Sequence, residues 1–210
     1  PGTGSDLQSV KTTAVKDGNQ YLVNGSKTFI TNGQTCDMVL VVAKTDTSQG
    51  AKGISLVIVE TGDDTQGFAR GRNLDKMGQH AADTSELFFD DVKVPADNIL
   101  GGEEGQGFFQ LMQQLPAERL VIANQAVASM ERAIALTLDY TRDRKTFGNS
   151  IFDYQNTQYK LAECKATWMA ARAMVDQLLS QLLEGKLDAN SAAAAKFWCT
   201  ERENEVIDDC

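Results

Sequence analysis

The sequence contains the segment Asn24-Gly25-Ser26-Lys27-Thr28-Phe29-Ile30-Thr31-Asn32-Gly33, a strand-length run enclosed by two Asn-Gly pairs. Asn-Gly favours tight turns because both of its residues tolerate positive φ. The aromatic and β-branched residues between the pairs favour a pleated, half-buried surface. On local pattern alone, the segment predicts an ordinary hairpin strand with a sharp turn at each end.

Further strand-like segments lie on both sides of this one. They are rich in β-branched and aromatic residues and are separated by turn clusters such as Asp17-Gly18. The predicted strands cover residues 10–16, 20–23, 26–31, 38–43, 53–60 and 85–89. Short strands without helical segments between them predict an antiparallel barrel or sandwich.

Beyond Gly107 the spacing of the apolar residues changes to the period of an α-helix. Apolar residues recur every three or four positions, first from Ala123 to Leu138 and then from Leu161 to Leu182. Caps near Asp188 predict a third helix. The fold class is therefore an antiparallel β-barrel domain, residues 1–101, followed by an incomplete antiparallel helical bundle, residues 102–210. Because a bundle normally has four helices and the chain starts at Pro1, we expect an internal fragment of a longer protein.

Composition excludes several classes of function. The net charge of −9 argues against a nucleic-acid-binding face and against adsorption to anionic lipid. The sequence has no Walker loop, no complete Gly-x-Gly-x-x-Gly and no His-Glu-x-x-His. Its cysteines form no Cys-x-x-Cys, which predicts free thiols and no metal site; they are Cys36, Cys164, Cys199 and Cys210.

Five motifs, in order along the chain, resemble those of the acyl-CoA dehydrogenase family. They are PGTGSD at 1–6, FITNG at 29–33, KMG at 76–78, LFFDDVKVP at 87–95 and RKTFG at 144–148, with Gln155 beyond the last. The resemblance implies FAD as the cofactor. His80 departs from the family pattern, in which arginine commonly follows Met-Gly-x.

The resemblance assigns two groups of flavin contacts. Phe29, Ile30 and Thr31 would pack on the flavin ring, and Ser5 would bind the cofactor beside glycines that permit close backbone approach. Arg144 would reach the FAD pyrophosphate of a neighbouring subunit, with Phe147 packing near that flavin and Gln155 donating a hydrogen bond. The protein would then be a homo-oligomer, expected to be a tetramer. Without the resemblance, Arg144 and its neighbour are a solvated helix end.

The candidate catalytic base is Glu118, in the segment Leu115-Pro116-Ala117-Glu118-Arg119-Leu120. This segment resembles the long-chain and isovaleryl-type subset of the family, in which the base lies on the first long helix. A partly desolvated carboxylate at this point would be a better proton acceptor. Arg119, Ser5 and Thr45 would bind the acyl-CoA substrate. The local alternative is that Glu118 is only an acid at a helix start.

The resemblance implies FAD-dependent α,β-dehydrogenation of an acyl-CoA to a trans-2-enoyl-CoA, as in fatty acid β-oxidation, with electrons passed to an electron-transferring flavoprotein. It implies the bacterial cytoplasm or the mitochondrial matrix and no secretion. Two alternatives stay open: an acyl-CoA oxidase or flavin monooxygenase on the same scaffold, and a non-catalytic flavin- or CoA-binding module.

Overall fold

A six-stranded β-sheet spans residues 13–95 of the computed structural model, which describes the whole chain from Pro1 to Cys210. Its strands are β1 (Thr13–Asp17), β2 (Gln20–Thr31), β3 (Met38–Lys44), β4 (Ile54–Glu60), β5 (Phe68–Asn73) and β6 (Thr84–Pro95), in the order β4-β3-β1-β2-β6-β5. All neighbours are antiparallel except β1 and β3, which pair in parallel through Thr13 and Lys44. Alternate side chains form one buried core, including Val23, Val41 and Leu87.

The sheet is open, so the predicted closure into a barrel was wrong. β4 and β5 lie at opposite edges and do not pair. The edge of β4 is instead covered by the segment that follows β6. There the amide of Leu100 donates to Leu56 O at 2.9 Å, and Asn98 Nδ2 donates to Ile58 O at 3.0 Å. Because these contacts satisfy edge carbonyls, β4 does not need a strand partner on that side.

The first Asn-Gly pair does not form the turn that the sequence predicts. β2 runs through it as one strand, with a bulge between Val23 and Gly25. Gly25 has a φ of +146°, and a Cβ at this position would lie 2.6 Å from Thr12 Oγ1 and 2.9 Å from Thr12 Cα. Asn24 exchanges two hydrogen bonds with Asp91 on β6, at 2.8 and 2.9 Å. The glycine is therefore required for close strand packing.

Two further strand predictions differ from the structure. β5 was not predicted, because its sequence Phe-Ala-Arg-Gly-Arg-Asn lacks a run of β-branched residues. β6 continues to Pro95, well past the predicted end at residue 89. It does so because the amino-terminal half of β2 pairs along that extension, from Gln20 opposite Pro95 to Val23 opposite Val92.

Three helices follow: α1 (Gly107–Asp143), α2 (Gln155–Leu183) and α3 (Ala189–Asp209). They share one apolar core, which confirms the predicted stripes; its most buried members include Leu120, Val127, Met130, Val175 and Cys199. Pro116 lies inside α1 and does not end it. Asp188 caps α3, since its Oδ1 accepts from the amides of Asn190 and Ser191, both at 2.9 Å.

The chain divides into two compact units, the sheet unit Pro1–Leu111 and the helical unit Met112–Cys210. The first turn of α1 packs with the sheet: Gly107 lies so close to β4 that a Cβ would be 2.7 Å from the carbonyl carbon of Ser55. Each unit has its own hydrophobic core. None of the helices is both long enough and apolar enough to cross a membrane, and all cysteines are free thiols.

We expect Gly25→Ala to lower the free energy of unfolding by about 2 kcal/mol, because the new Cβ would meet Thr12 and the backbone would be held at an unfavourable φ. Urea unfolding would measure the loss. The matched control is Gly62→Ala, since a Cβ there meets no atom within 4 Å. A loss at Gly25 no larger than the loss at Gly62 would contradict the close approach.

Candidate functional site

Phe29 occupies a second bulge in β2, between Lys27 and Ile30. Its φ of +58° lies in the left-handed region, which an aromatic residue rarely adopts. Its side chain is 74% exposed. Neither feature favours folding, since the backbone is strained and an apolar ring is left in water. Strain of this kind persists at sites where a ligand or partner uses the residue.

The turn after Thr31 is held by a network of hydrogen bonds. The amide of Asn32 donates to the backbone oxygen of Asp83 at 3.2 Å, and the amide of Gln34 donates to Asp83 Oδ2 at 2.7 Å. Gln34 Nε2 donates to Ser85 Oγ at 3.0 Å. Asn32 has a φ of +60°, so the second Asn-Gly pair forms the turn that the sequence predicts. Thr31 therefore stands exposed at the fixed end of its strand.

Arg70 on β5 supports the segment that follows this turn and was not predicted. Its guanidinium donates to Cys36 O at 2.8 Å and to Thr61 O at 2.7 Å. The hydroxyl of buried Thr61 also donates to Cys36 O, at 2.8 Å. Sequence reasoning missed Arg70 because it lies in the strand that the sequence does not predict.

A cavity of about 680 Å³ joins the aromatic bulge to the Gly-rich amino-terminal segment. Phe29, Ile30, Gly2 and Gly4 all line it. A Cβ on either glycine would meet no atom within 4 Å, so packing within the chain does not require these glycines. The open space beside them is compatible with a ligand close to the backbone. Ser5 is exposed and follows Gly4 directly.

Lys27 is a second residue that the sequence analysis did not single out. Its side chain is half-buried and lines the same cavity, and Nζ donates to Val42 O on β3 at 2.7 Å. Burial lowers the pKa of its ammonium to about 8. The sequence signal that could have identified Lys27 is a lysine within a predicted strand, between a small residue and a β-branched one.

Glu118 lies on α1 and is exposed, whereas Leu120, two positions on, is fully buried. The partly desolvated carboxylate that the sequence predicts is therefore not formed by this chain, because nothing in the helical unit covers that side of α1. Arg119 is half-buried beside it. The acid does not stand at a helix start, since α1 begins at Gly107.

The RKTFG motif forms a small hairpin of β7 (Lys145–Thr146) and β8 (Asn149–Ser150). Its two-residue turn has positive φ at both positions, +52° at Phe147 and +85° at Gly148, as expected for a type I′ turn. Tyr154 Oη donates to Thr146 O at 2.9 Å and steadies the hairpin. The turn leaves the Phe147 side chain wholly exposed at its tip.

Arg144 and Gln155 flank this hairpin, and both are exposed. The amide of Ile151 donates to Arg144 O at 2.9 Å, which closes the segment. No carboxylate lies within ion-pair distance of the Arg144 guanidinium. Gln155 begins α2 and donates through Nε2 to Tyr159 Oη at 2.9 Å. The structure thus gathers Arg144, Phe147 and Gln155 in one surface segment.

Thr45 and His80 make contacts within the sheet unit. The Thr45 hydroxyl lies 2.8 Å from the hydroxyl of buried Ser55, which in turn accepts from the amide of Gly105 at 2.8 Å. Those bonds stabilise the segment before α1, and substrate binding by Thr45 stays a prediction. His80 Nε2 lies 2.7 Å from Lys76 O in its own loop. No cluster of three or more His, Cys, Asp or Glu side chains is arranged to bind a metal.

Two family models match successive parts of the chain. The model described as "Acyl-CoA dehydrogenase, middle domain" matches residues 1–92, and the one described as "Acyl-CoA dehydrogenase, C-terminal domain" matches residues 105–210. Both models describe one class of protein, and they follow the chain in the order of the sheet unit and the helical unit.

Curated and solved proteins agree with these matches. The mouse protein "Long-chain specific acyl-CoA dehydrogenase, mitochondrial" is 47% identical over all of this chain, which spans about half (49%) of its length. The crystal structure of an acyl-CoA dehydrogenase from Geobacillus kaustophilus superposes with a TM-score of 0.93 at 47% identity, covering 98% of this chain and 54% of the other. The chain belongs to the acyl-CoA dehydrogenase family, which confirms the resemblance carried by the five motifs.

A second similar structure is described as "Electron transferring flavoprotein of Acidaminococcus fermentans: Towards a mechanism of flavin-based electron bifurcation". One of its chains superposes with a TM-score of 0.92 at 41% identity. It covers 98% of this chain, which spans 53% of that one.

We expect Phe29→Gly to be more stable than Phe29→Ala by about 1 kcal/mol, because only glycine adopts a positive φ without strain. Urea unfolding of both variants measures the difference. The same pair at Thr28, which has no positive φ, serves as the control, and there alanine should be the more stable by about 0.5–1 kcal/mol. If the alanine variant were the more stable one at both positions, the backbone strain at Phe29 would be contradicted.

Lys27 should make stability depend on pH above neutrality. Its folded pKa is about 8 and its ordinary value is 10.5, so between these pH values the unfolded chain binds more protons at this residue. The free energy of unfolding of the wild type, measured relative to Lys27→Met, should therefore rise from pH 8 to 10.5, by an amount on the order of 2 kcal/mol. Well below pH 8 the difference should be constant, and a difference that stays level or falls across the window would refute the lowered pKa.

Proposed function

We propose that the protein carrying this chain is an FAD-dependent acyl-CoA dehydrogenase that converts an acyl-CoA into a trans-2-enoyl-CoA. The observation that carries the proposal is the strained, exposed Phe29 beside Thr31, in a chain whose two units both match this family. Family membership supports acyl-CoA dehydrogenation as the general activity. The subset with its base on the first long helix, which includes long-chain enzymes, is the proposed branch.

The sheet unit would hold the flavin ring. Phe29 and Ile30 offer apolar contacts next to an open cavity, and the exposed Thr31 hydroxyl at the strand end would meet a heteroatom of the ring. Ser5 and the neighbouring glycine amides would bind a polar part of the cofactor or substrate. The available space and the exposed aromatic fit a flat, partly polar group.

The helical unit would complete the cofactor site of a neighbouring subunit. Arg144 has no internal carboxylate partner, so its guanidinium is available for the pyrophosphate. Phe147 at the hairpin tip would pack near that flavin, and Gln155 would hydrogen-bond it. Activity would therefore require a homo-oligomer, which we propose to be a tetramer.

Glu118 would act as the base. Its carboxylate would accept the α-proton of the thioester, and the electron pair of that C–H bond would form the new double bond. Bound FAD would supply the oxidant that takes the β-hydrogen as hydride. Because Glu118 is exposed in this chain, substrate or another part of the assembly would have to shield it from water. Arg119, Ser5 and Thr45 would position the CoA portion.

The electron acceptor proposed is an electron-transferring flavoprotein. A similar chain occurs in the structure of the electron-transferring flavoprotein of Acidaminococcus fermentans, which supports this partner class. The mouse relative is named mitochondrial. The proposed compartment is accordingly the mitochondrial matrix or, for a bacterial source, the cytoplasm.

An anaerobic titration of the full-length holoprotein with saturated acyl-CoAs of increasing chain length tests the activity. We expect the oxidised flavin absorbance to bleach, at the lowest concentration for the preferred chain length. Bound flavin that no acyl-CoA bleaches would overturn the proposal and favour a monooxygenase. Rapid oxygen consumption by the reduced protein would indicate an oxidase, and the absence of bound flavin would indicate a binding module.

The base is tested by Glu118→Gln. We expect the rate of flavin reduction to fall by about 10³-fold, because an amide cannot accept the α-proton, while flavin content and acyl-CoA binding are kept. The matched control is Glu131→Gln, an exposed glutamate on the same helix, which should reduce at the wild-type rate. Equal rates in the two variants would place the base elsewhere.

A further inference from the structure

β2 loses one of its two neighbours partway along its length. β1 begins at Thr13, whose partner on β2 is Asn24. Beyond that point the residues of β2 pair only with β6, from Gly25 opposite Phe89 to Thr31 opposite Thr84. The half of β2 that carries the aromatic bulge therefore has a free edge.

The free edge faces a gap between β2 and β3. β1 separates these strands elsewhere in the sheet, and the cavity of about 680 Å³ lies where β1 is absent. Its lining includes Gly25, Lys27 and Phe29 from β2 and Val42 from β3. No backbone hydrogen bond joins the two strands across the gap.

Lys27 crosses this gap. Its Nζ donates to Val42 O at 2.7 Å, which links β2 to β3 where β1 does not. Val42 is itself fixed by pairing with Leu56 on β4. The side chain thus replaces a missing strand neighbour with one hydrogen bond, two residues before Phe29.

The hydrogen bond from Lys27 to Val42 O fills the gap at a cost in folding free energy. Lys27 has no carboxylate within ion-pair distance, and burial of an unpaired ammonium is unfavourable. The depressed pKa of Lys27 reflects that desolvation. A methionine of similar length would occupy the space without the charge. Stability alone therefore does not explain a lysine here.

We propose that Lys27 is a positioning residue, which holds the free edge of β2 and so fixes the bulge that carries Phe29. Its effect on the cofactor rests on the proposed function, because Phe29 and Thr31 are the proposed flavin contacts. Its effect on the strand does not depend on that function.

Hydrogen exchange of the full-length protein tests the role, with Lys27→Met as the variant. We expect the amides of residues 26–31 to exchange about 10-fold faster or more, while those of β3 and β4 keep their wild-type rates. Lys27→Arg keeps a long, positively charged donor at this position and should restore slow exchange. The control is Lys93→Met, the same change at an exposed lysine on β6, which should leave residues 26–31 unchanged.

Flavin binding to the same variants provides the second measurement. We expect the dissociation constant for FAD to rise about 10-fold in Lys27→Met and to return toward the wild-type value in Lys27→Arg. Unchanged exchange at residues 26–31 would overturn the proposal, and so would a uniform increase across the sheet, since that would assign Lys27 to general stability. If the wild type binds no FAD, the proposed function fails while the exchange comparison still decides the positioning role.

Discussion

The approach of Gly25 to Thr12 is the contact on which the sheet unit depends. A side chain at residue 25 would collide with Thr12, so the two segments can meet only through glycine. At this point β2 leaves β1 and continues with β6 alone. The departure creates both the cavity and the free strand edge. The bulge at Phe29, the bond from Lys27 and the turn after Thr31 all lie on the part of β2 beyond this contact.

The general architecture could be predicted from the sequence, whereas several decisive details could not. Helical periodicity identified α1 and α2 because each buries a continuous apolar stripe, and the cap residues near Asp188 identified α3. The Asn24-Gly25 pair led to the wrong prediction of a turn, because a glycine with positive φ is compatible with both a turn and a β-bulge. Only the pairing with the partner strand distinguishes the two. The local sequence pattern also could not predict that the sheet is open. The alternation of apolar and polar residues along a strand shows which face is buried, but it carries no information about whether the two edge strands pair.

The candidate site shows the same division. Ser5, Phe29, Ile30 and Thr31 were predicted as flavin contacts of the sheet unit. Phe29 and Ile30 line the cavity together with Gly2 and Gly4, whereas Ser5 and Thr31 do not line it. Lys27 and Arg70 were missed because their importance comes from carbonyl groups distant in sequence, at Val42, Cys36 and Thr61. This chain does not supply the predicted shielding of Glu118, since residues two positions apart on a helix lie on nearly opposite sides and Leu120 is the residue that is buried. At these positions the residue type indicates which chemistry is possible. The burial and the contacts of each side chain can be seen only in the folded structure.

The hairpin at Phe147 has a consequence for the proposed contact with a neighbouring subunit. Its turn, its strand pairs and the Tyr154 hydrogen bond already fix the backbone in the isolated chain. A loop ordered in advance gives up little conformational entropy when a partner binds, so more of the interaction energy of the exposed ring and of Arg144 is available as affinity. The same preorganisation makes the contact depend strongly on shape complementarity, because a rigid hairpin tip cannot adapt to a poorly matched surface. In the proposed homo-oligomer, recognition at this point would therefore select closely related subunits and discriminate against distant ones.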